Sequence, residues 1–142
     1  MTANPTPREL EDLAAHLAAV AEGDVAIGRR LAPYTSYRIG GPTAVWAAPR
    51  SVRGVQRVIE AVHAAGAPLF VLGRGSNLLV SDRGWPGVTL YIGENLSDRQ
   101  FSGEQAEAGA GCLLTDLVHA AVERGLGGME LLAGIPGGVG GA

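Results

Sequence analysis

Glycine gathered into three clusters is the feature that most constrains this chain. Its 142 residues include 22 glycines, roughly 15 % against a usual ~7 %. They concentrate around Gly73 and Gly75, at Gly109 and Gly111, and from residue 125 to residue 141. Dispersed glycine would mark a linker, whereas clusters between apolar segments mark loops in which backbone approaches something closely. The rest is made to fold. With 46 % apolar and 18 % charged residues, the chain has the length and the apolar content of one ordinary domain with a real core.

Between the loops the apolar residues recur at readable periods. Thr6-Pro7-Arg8-Glu9 predicts a helix start, with Thr6 as cap, Pro7 at the first helical position and Glu9 closing a capping box. Leu10, Leu13, Leu17 and Val20 follow at helical spacing and Gly23 is the stop, which gives an amphipathic helix on the outside of the body. Residues 31–41 read as loop and 44–48 as a short apolar strand. Ser51 caps a second helix with Val52, Val55, Val58, Ile59 and Val62 on one face and Gly66 as the stop. Residues 68–72 predict a buried strand that feeds the Gly73 loop. Residues 78–80 resume extended chain, 82–87 have turn chemistry, and 88–92 form the next strand. Glu107-Ala108 ends another, and a third helix is expected over 113–124 with Gly125 as its stop. Short strands with few long crossovers predict an α+β fold rather than a doubly wound sheet.

Each glycine cluster admits a ligand and a plainer alternative. Gly73-Arg74-Gly75-Ser76-Asn77 directly follows a strand, and paired glycines let successive N–H groups face one concavity, a phosphate nest. Arg74 can add charge there, and Ser76 and Asn77 can add side-chain donors. The same five residues fit a tight strand-to-strand turn with no ligand. A dinucleotide fingerprint would need glycine or alanine where Leu78 stands, and a helix after it. A Walker loop would need a lysine, and the chain has none. Ala108-Gly109-Ala110-Gly111 opens the third helix and is a second anion-binding candidate, with Thr115 or Asp116 read as helix caps. Gly134-Ile135-Pro136-Gly137-Gly138-Val139-Gly140-Gly141 is too apolar for a flexible linker and too rich in glycine for a helix. Ile135-Pro136 makes a rigid apolar edge against which a flat ligand could lie; a hinge or ordinary loop is the alternative.

Other chemistries find little support. A net charge of -3 gives no global attraction for nucleic acid or an anionic membrane, so any phosphate must be held by local amides and a few arginines. No apolar run approaches the ~18 residues of a membrane span. Met1-Thr2-Ala3-Asn4-Pro5 lacks the pattern of an export signal, and a soluble cytoplasmic protein is the simplest expectation. His16, His63 and His119 stand alone on helices, at no metal-ligand spacing. Cys112 reads as a small buried residue, and Trp46 and Trp85 as packing.

Taken together, four ordered segments resemble one family. Thr35-Ser36-Tyr37-Arg38-Ile39-Gly40-Gly41-Pro42 looks like its early signature. Leu72-Gly73-Arg74-Gly75-Ser76-Asn77-Leu78-Leu79-Val80, with Gly84-Trp85-Pro86-Gly87-Val88, resembles its pyrophosphate loop and the turn after it. Ala108-Gly109-Ala110-Gly111 and residues 127–142, including Glu130 and Ala133-Gly134-Ile135-Pro136-Gly137, match the rest in order. The family is the UDP-N-acetylenolpyruvoylglucosamine reductases, whose flavin domain is of the vanillyl-alcohol oxidase/p-cresol methylhydroxylase type.

The resemblance implies a flavoenzyme of peptidoglycan synthesis, in which NADPH reduces FAD and the enolpyruvyl double bond of UDP-N-acetylglucosamine enolpyruvate is reduced to give UDP-N-acetylmuramate. It implies an N-terminal helix over residues 1–24 and two α+β subdomains, 25–92 and an incomplete 93–142. It implies FAD bound by Gly73, Arg74, Gly75, Ser76, Asn77 and Leu78 at the diphosphate. Gly109, Ala110 and Gly111 join the site, and Gly134, Ile135, Pro136, Gly137, Val139, Gly140 and Gly141 lie along the flavin. Family members continue into a Tyr-Arg-x-Ser segment, a proton-donating serine, a late glutamate and a substrate-binding domain, none of which occurs here. No catalytic residue is therefore expected in this chain, nor turnover from it alone, and FAD affinity is expected to be weak. Arg74 and Gly138 depart from the family's usual glycine and hydroxyl residue. Another flavin oxidoreductase of the superfamily, or a binding module that keeps the fold without the cofactor, are the competing readings.

Overall fold

Local signals set the helix ends in the computed structural model, which describes residues 5–142. Met1 to Asn4, on which the export-signal expectation mainly rests, lie outside the described residues. The chain runs α1 (Pro7–Val20), β1 (Gly23–Ile27), β2 (Thr43–Pro49), α2 (Val52–Ala64), β3 (Leu69–Leu72), β4 (Trp85–Tyr91), β5 (Arg99–Ser102), β6 (Gln105–Ala108) and α3 (Leu114–Val122). Single 3-10 turns occur at Ala32–Tyr34, Glu94–Leu96, Glu130–Leu132 and Val139–Gly141.

At the start of α1, Thr6 Oγ1 accepts from Glu9 N at 3.3 Å and the Glu9 carboxylate accepts from Thr6 N at 2.7 Å. The backbone bond to Thr6, then the hydroxyl bond, holds the Glu9 carboxyl below its ordinary 4.5. A lowered carboxyl pKa stabilises the fold above the unfolded value, and that support is lost as pH falls through the folded one. Thr6→Ala is expected to lower stability by about 1 kcal/mol, read as a shift in the urea midpoint. The difference from wild type should shrink as the pH falls below the usual carboxylate range.

Four strands form a sheet in the order β1-β2-β4-β3. β1 pairs antiparallel with β2, while β2–β4 and β4–β3 are parallel. The two central strands are covered on both faces, which is why they read as nearly unbroken apolar runs. Val45, Ala47, Val88 and Leu90 face the helices and meet Leu13 and Leu17 of α1 and Val58 and Val62 of α2. On the opposite face Trp46, Ala48 and Leu72 pack with Leu31 under Tyr34, Phe70 and Tyr91. Thr43 and Thr89 are the buried polar residues between them, and Thr89 Oγ1 donates to Thr43 Oγ1 at 2.8 Å. Helices on one face and loops on the other make this an α+β unit. β5 and β6 form a separate hairpin, followed by α3.

Several expectations need correction. Gly23 does not stop α1; the helix ends at Val20, Glu22 turns the chain at φ 52, and Gly23 opens β1. Residue 24 lies within β1, and Leu13 and Leu17 of α1 pack in the core of the first sheet. In α2 the buried stripe is Val58 and Val62, while Val52 is 70 % exposed and Ile59 is exposed too. β3 is an edge strand with only Leu72 buried, and Val71 faces out. Residues 78–80 form no strand, and Trp85–Gly87 lie in β4 rather than in the preceding turn. Neither Thr115 nor Asp116 caps α3, because both sit inside its first turn; Leu113 is the cap residue, without a side-chain bond. Among the described residues the tail after Gly125 forms 3-10 turns and one isolated bridge, Leu113 to Gly138; the sheet edges are β1 and β3, and β5 and β6 pair only with each other.

Candidate cofactor site

The edge strand β3 ends at Leu72 and delivers the chain into Gly73, Arg74, Gly75, Ser76, Asn77 and Leu78, which form one wall of a cleft of about 390 Å³. Ala110, Gly137, Gly138, Gly140 and Gly141 form the facing wall. None of the six consecutive amides from Gly73 to Leu78 donates a backbone hydrogen bond within the described residues. Backbone N–H groups are almost always paired, so such a run is a concentration of donors awaiting an acceptor.

What holds the loop in this shape comes from the early signature. Gly75 has φ 59, and a Cβ there would fall on the Tyr34 carbonyl. The loop therefore lies backbone to backbone on residues 34–36, and Ser36 N donates to Gly75 O at 3.0 Å. Thr35 is buried, with Oγ1 within hydrogen-bonding reach of the Ile39 and Ala32 carbonyls at 3.1 and 3.2 Å. Sequence reasoning gave these residues no role.

Arg74 does not present a free charge. Nη1 donates to Glu94 Oε1 at 3.2 Å and Nη2 to Gly111 O at 3.3 Å, while Nε is buried without a partner. The side chain spans from the loop to the Glu94–Leu96 turn, and Glu94 offsets its charge. The loop's main-chain amides therefore remain as donors without a partner on this wall of the cleft. Burial pushes the nearby Tyr91 phenol above its ordinary value, with Arg74 acting the other way.

The second glycine cluster works differently from the expectation. Gly109 N donates to Asp98 O at 2.7 Å and Gly111 N to Leu96 O at 2.9 Å, so neither amide is left for an anion. A Cβ at Gly109 would overlap Leu96 O, and one at Gly111 would overlap Gly93 O. These glycines let the loop pack against the Glu94–Leu96 turn. Only Ala110 of the three reaches the cleft, and its carbonyl accepts from Gly140 N at 2.9 Å.

The third cluster divides. Gly137, Gly140 and Gly141 line the cleft, together with Gly138, which the sequence reading left out of the site. Val139 sits behind them, its N–H bonded to Cys112 O at 2.9 Å. Gly134, Ile135 and Pro136 are exposed and outside the cleft, although Pro136 O accepts from Ser76 Oγ at 3.3 Å. The tail is therefore tied to the loop at its rim.

The lone residues behave plainly. His16, His63 and His119 are exposed, and among the described residues no group of three His, Cys, Asp or Glu could hold a metal. Cys112 is buried. Trp46 is core, and Trp85 packs on Phe70 at 5.9 Å between ring centroids. No helix of the described residues is long and apolar enough to cross a membrane.

Comparison with known proteins places this geometry. Residues 43–142 match the model of a family described as an FAD binding domain. The UDP-N-acetylenolpyruvoylglucosamine reductase of Halalkalibacterium halodurans is 38 % identical over 133 residues, 94 % of this chain and 44 % of that protein. That of Bacillus subtilis is 40 % identical over 120 residues, 84 % of this chain and 40 % of that protein. The chain thus spans less than half the length of these relatives. The crystal structure of the Thermus caldophilus reductase superposes with a TM-score of 0.63 at 36 % identity, over 84 % of this chain and 40 % of the other. The BBE-like 1 protein of Physcomitrella patens superposes at 0.58 with 20 % identity, over 81 % of this chain and 26 % of the other, a likeness of fold alone. The chain belongs to the FAD-binding domain family, with the α+β fold of the vanillyl-alcohol oxidase/p-cresol methylhydroxylase type, and within it to the FAD-binding amino-terminal region of the UDP-N-acetylenolpyruvoylglucosamine reductases.

Proposed function

We propose that this chain is the FAD-holding part of a cytoplasmic reductase that uses NADPH to convert UDP-N-acetylglucosamine enolpyruvate to UDP-N-acetylmuramate in peptidoglycan synthesis. The observation that carries the cofactor assignment is the run of six amides from Gly73 to Leu78 in the cleft wall, none with a partner within the described residues. They fit a diphosphate, because a row of N–H dipoles stabilises an anion without a mobile cation. They suit this chain in particular, whose net charge is -3 and whose Arg74 is engaged by Glu94.

In this proposal Gly73, Arg74, Gly75, Ser76, Asn77 and Leu78 surround the diphosphate, and Ala110, Gly137, Gly140 and Gly141 close the cleft. The exposed edge of Ile135 and Pro136 stands beside it for the isoalloxazine ring, with Gly134 and Val139 as its supports. Gly109 and Gly111 act indirectly, by seating Ala110. The two α+β subdomains are residues 25–92, with α1 packed on them, and 93–142. FAD supplies the redox chemistry when bound, while the protein supplies position and electrostatics. No residue of this chain is assigned a catalytic role, and the reaction belongs to the whole reductase.

Titration of the purified chain with FAD, followed by flavin fluorescence, is expected to show saturable binding. No saturation up to about 1 mM, equivalent to ~4 kcal/mol of binding, would sink the cofactor assignment and leave a fold without its ligand. Purified chain that turned over the enolpyruvyl substrate with NADPH would overturn the absence of a catalytic residue.

A further inference from the structure

Six amides of the loop are without a partner within the described residues, and the contacts that set two of them come from outside the loop. We infer that Ser36 is a positioning residue for the diphosphate, through carbonyls on the rear of the loop. Its N–H donates to Gly75 O at 3.0 Å. Its hydroxyl lies 3.2 Å from Gly75 O and 3.0 Å from Ser76 O, so one proton is shared between two acceptors. Every peptide bond described is trans, and in a trans peptide the C=O and the following N–H point in opposite directions. Fixing Gly75 O on the Ser36 side turns the Ser76 amide away from it. Fixing Ser76 O in the same way turns the Asn77 amide away.

The surroundings agree with that orientation. Ser36 lines a groove together with Thr35, Gly73 and Arg74, and the last two also line the diphosphate cleft, which Ser36 does not reach. The two carbonyls do not contribute equally. Gly75 O keeps the Ser36 N–H in any variant, whereas the Ser36 hydroxyl is the only donor to Ser76 O within the described residues. The hydroxyl therefore acts chiefly on the Asn77 amide. Ser36 touches no ligand in this scheme; it sets two of the donors a ligand would meet. The inference rests on the FAD reading of the same cleft.

The test compares Ser36→Ala with Ser36→Thr, which keeps the hydroxyl. FAD affinity is expected to fall roughly tenfold in the alanine variant, the effect of one lost hydrogen bond's worth of alignment, and to return to near wild type with threonine. In flavin-free protein, the Asn77 amide cross-peak in a nitrogen-proton NMR spectrum is expected to move more than that of Ser76. Ser36 is exposed, so the unfolding midpoint should not change. Wild-type affinity in the alanine variant, an unmoved Asn77 amide, or equal losses in both variants overturns the inference while leaving FAD binding intact. An alanine variant that unfolds assigns Ser36 to stability and overturns it too. Absence of saturable FAD binding in the wild-type chain removes the underlying reading and this inference together.

Discussion

Gly75→Ala is expected to weaken FAD binding by at least a hundredfold while leaving a folded protein. Two costs coincide at this position. Its φ of 59 is a conformation that a side chain adopts with a penalty of about 1–2 kcal/mol. The added methyl would also fall on the Tyr34 carbonyl, and neither partner can escape by changing rotamer, since one is a Cβ and the other is backbone. The loop must lift. Lifting it breaks the bond from Ser36 N to Gly75 O and moves the amides that line the cleft. Amide bonds to a charged group contribute about 1.5–3 kcal/mol each, so misaligning two gives roughly a hundredfold or more. Gly66→Ala is the matched control. Gly66 has nearly the same φ, 62, but its Cβ would meet open space at the end of α2, so it carries the conformational cost alone. FAD dissociation constants for the two variants decide the matter. Equal binding by Gly75→Ala and wild type would show that the amide run is not the diphosphate site.

The contrast between these two glycines shows what the sequence could and could not disclose. The starts of α1 and α2 were legible because their signals are local: Thr6 with Glu9, and Ser51 with the Gly54 amide, act within one turn. The central strands were legible because burial on both faces leaves an apolar run. β1 was not, since it opens with Gly23 and Asp24, residues poor in strand preference, and exists because β2 offers it an edge. The glycine clusters correctly marked close approach, but a glycine does not say to what. At Gly75 the neighbour is the backbone of Tyr34, which shapes a nest. At Gly109 and Gly111 the neighbours are Leu96 and Gly93, and the amides are already engaged. Arg74 was legible as a cation near the cleft, yet its partner Glu94 lies 20 residues on. A pairing at that separation is set by the fold.

The largest effect on stability is expected from Trp46→Ala, at about 3–5 kcal/mol. Trp46 is 1 % exposed in the middle of β2, stacked on Tyr91 at 4.8 Å and tilted on Tyr34 at 4.3 Å between ring centroids. Removing the indole leaves both tyrosines without their central partner, and no neighbour on a paired strand can move in to fill the space. Against a typical total of about 5–15 kcal/mol that is roughly a fifth or more, which for a chain of this size lowers the melting temperature on the order of 10–20 °C. The indole also carries a flaw, since its Nε1 is buried without a partner. Trp46→Phe keeps a ring and removes that stranded donor, whose burial costs about 1–3 kcal/mol, so its loss should be well under half that of alanine. Thermal melts followed by near-ultraviolet circular dichroism test the pair; phenylalanine as damaging as alanine would mean that shape alone governs the site. The alanine variant should also bind FAD less tightly at temperatures where it remains folded. Tyr34 rests on Trp46 by its ring and supports the Gly75 loop by its carbonyl, so a hole under the ring loosens the bed on which the amide wall lies.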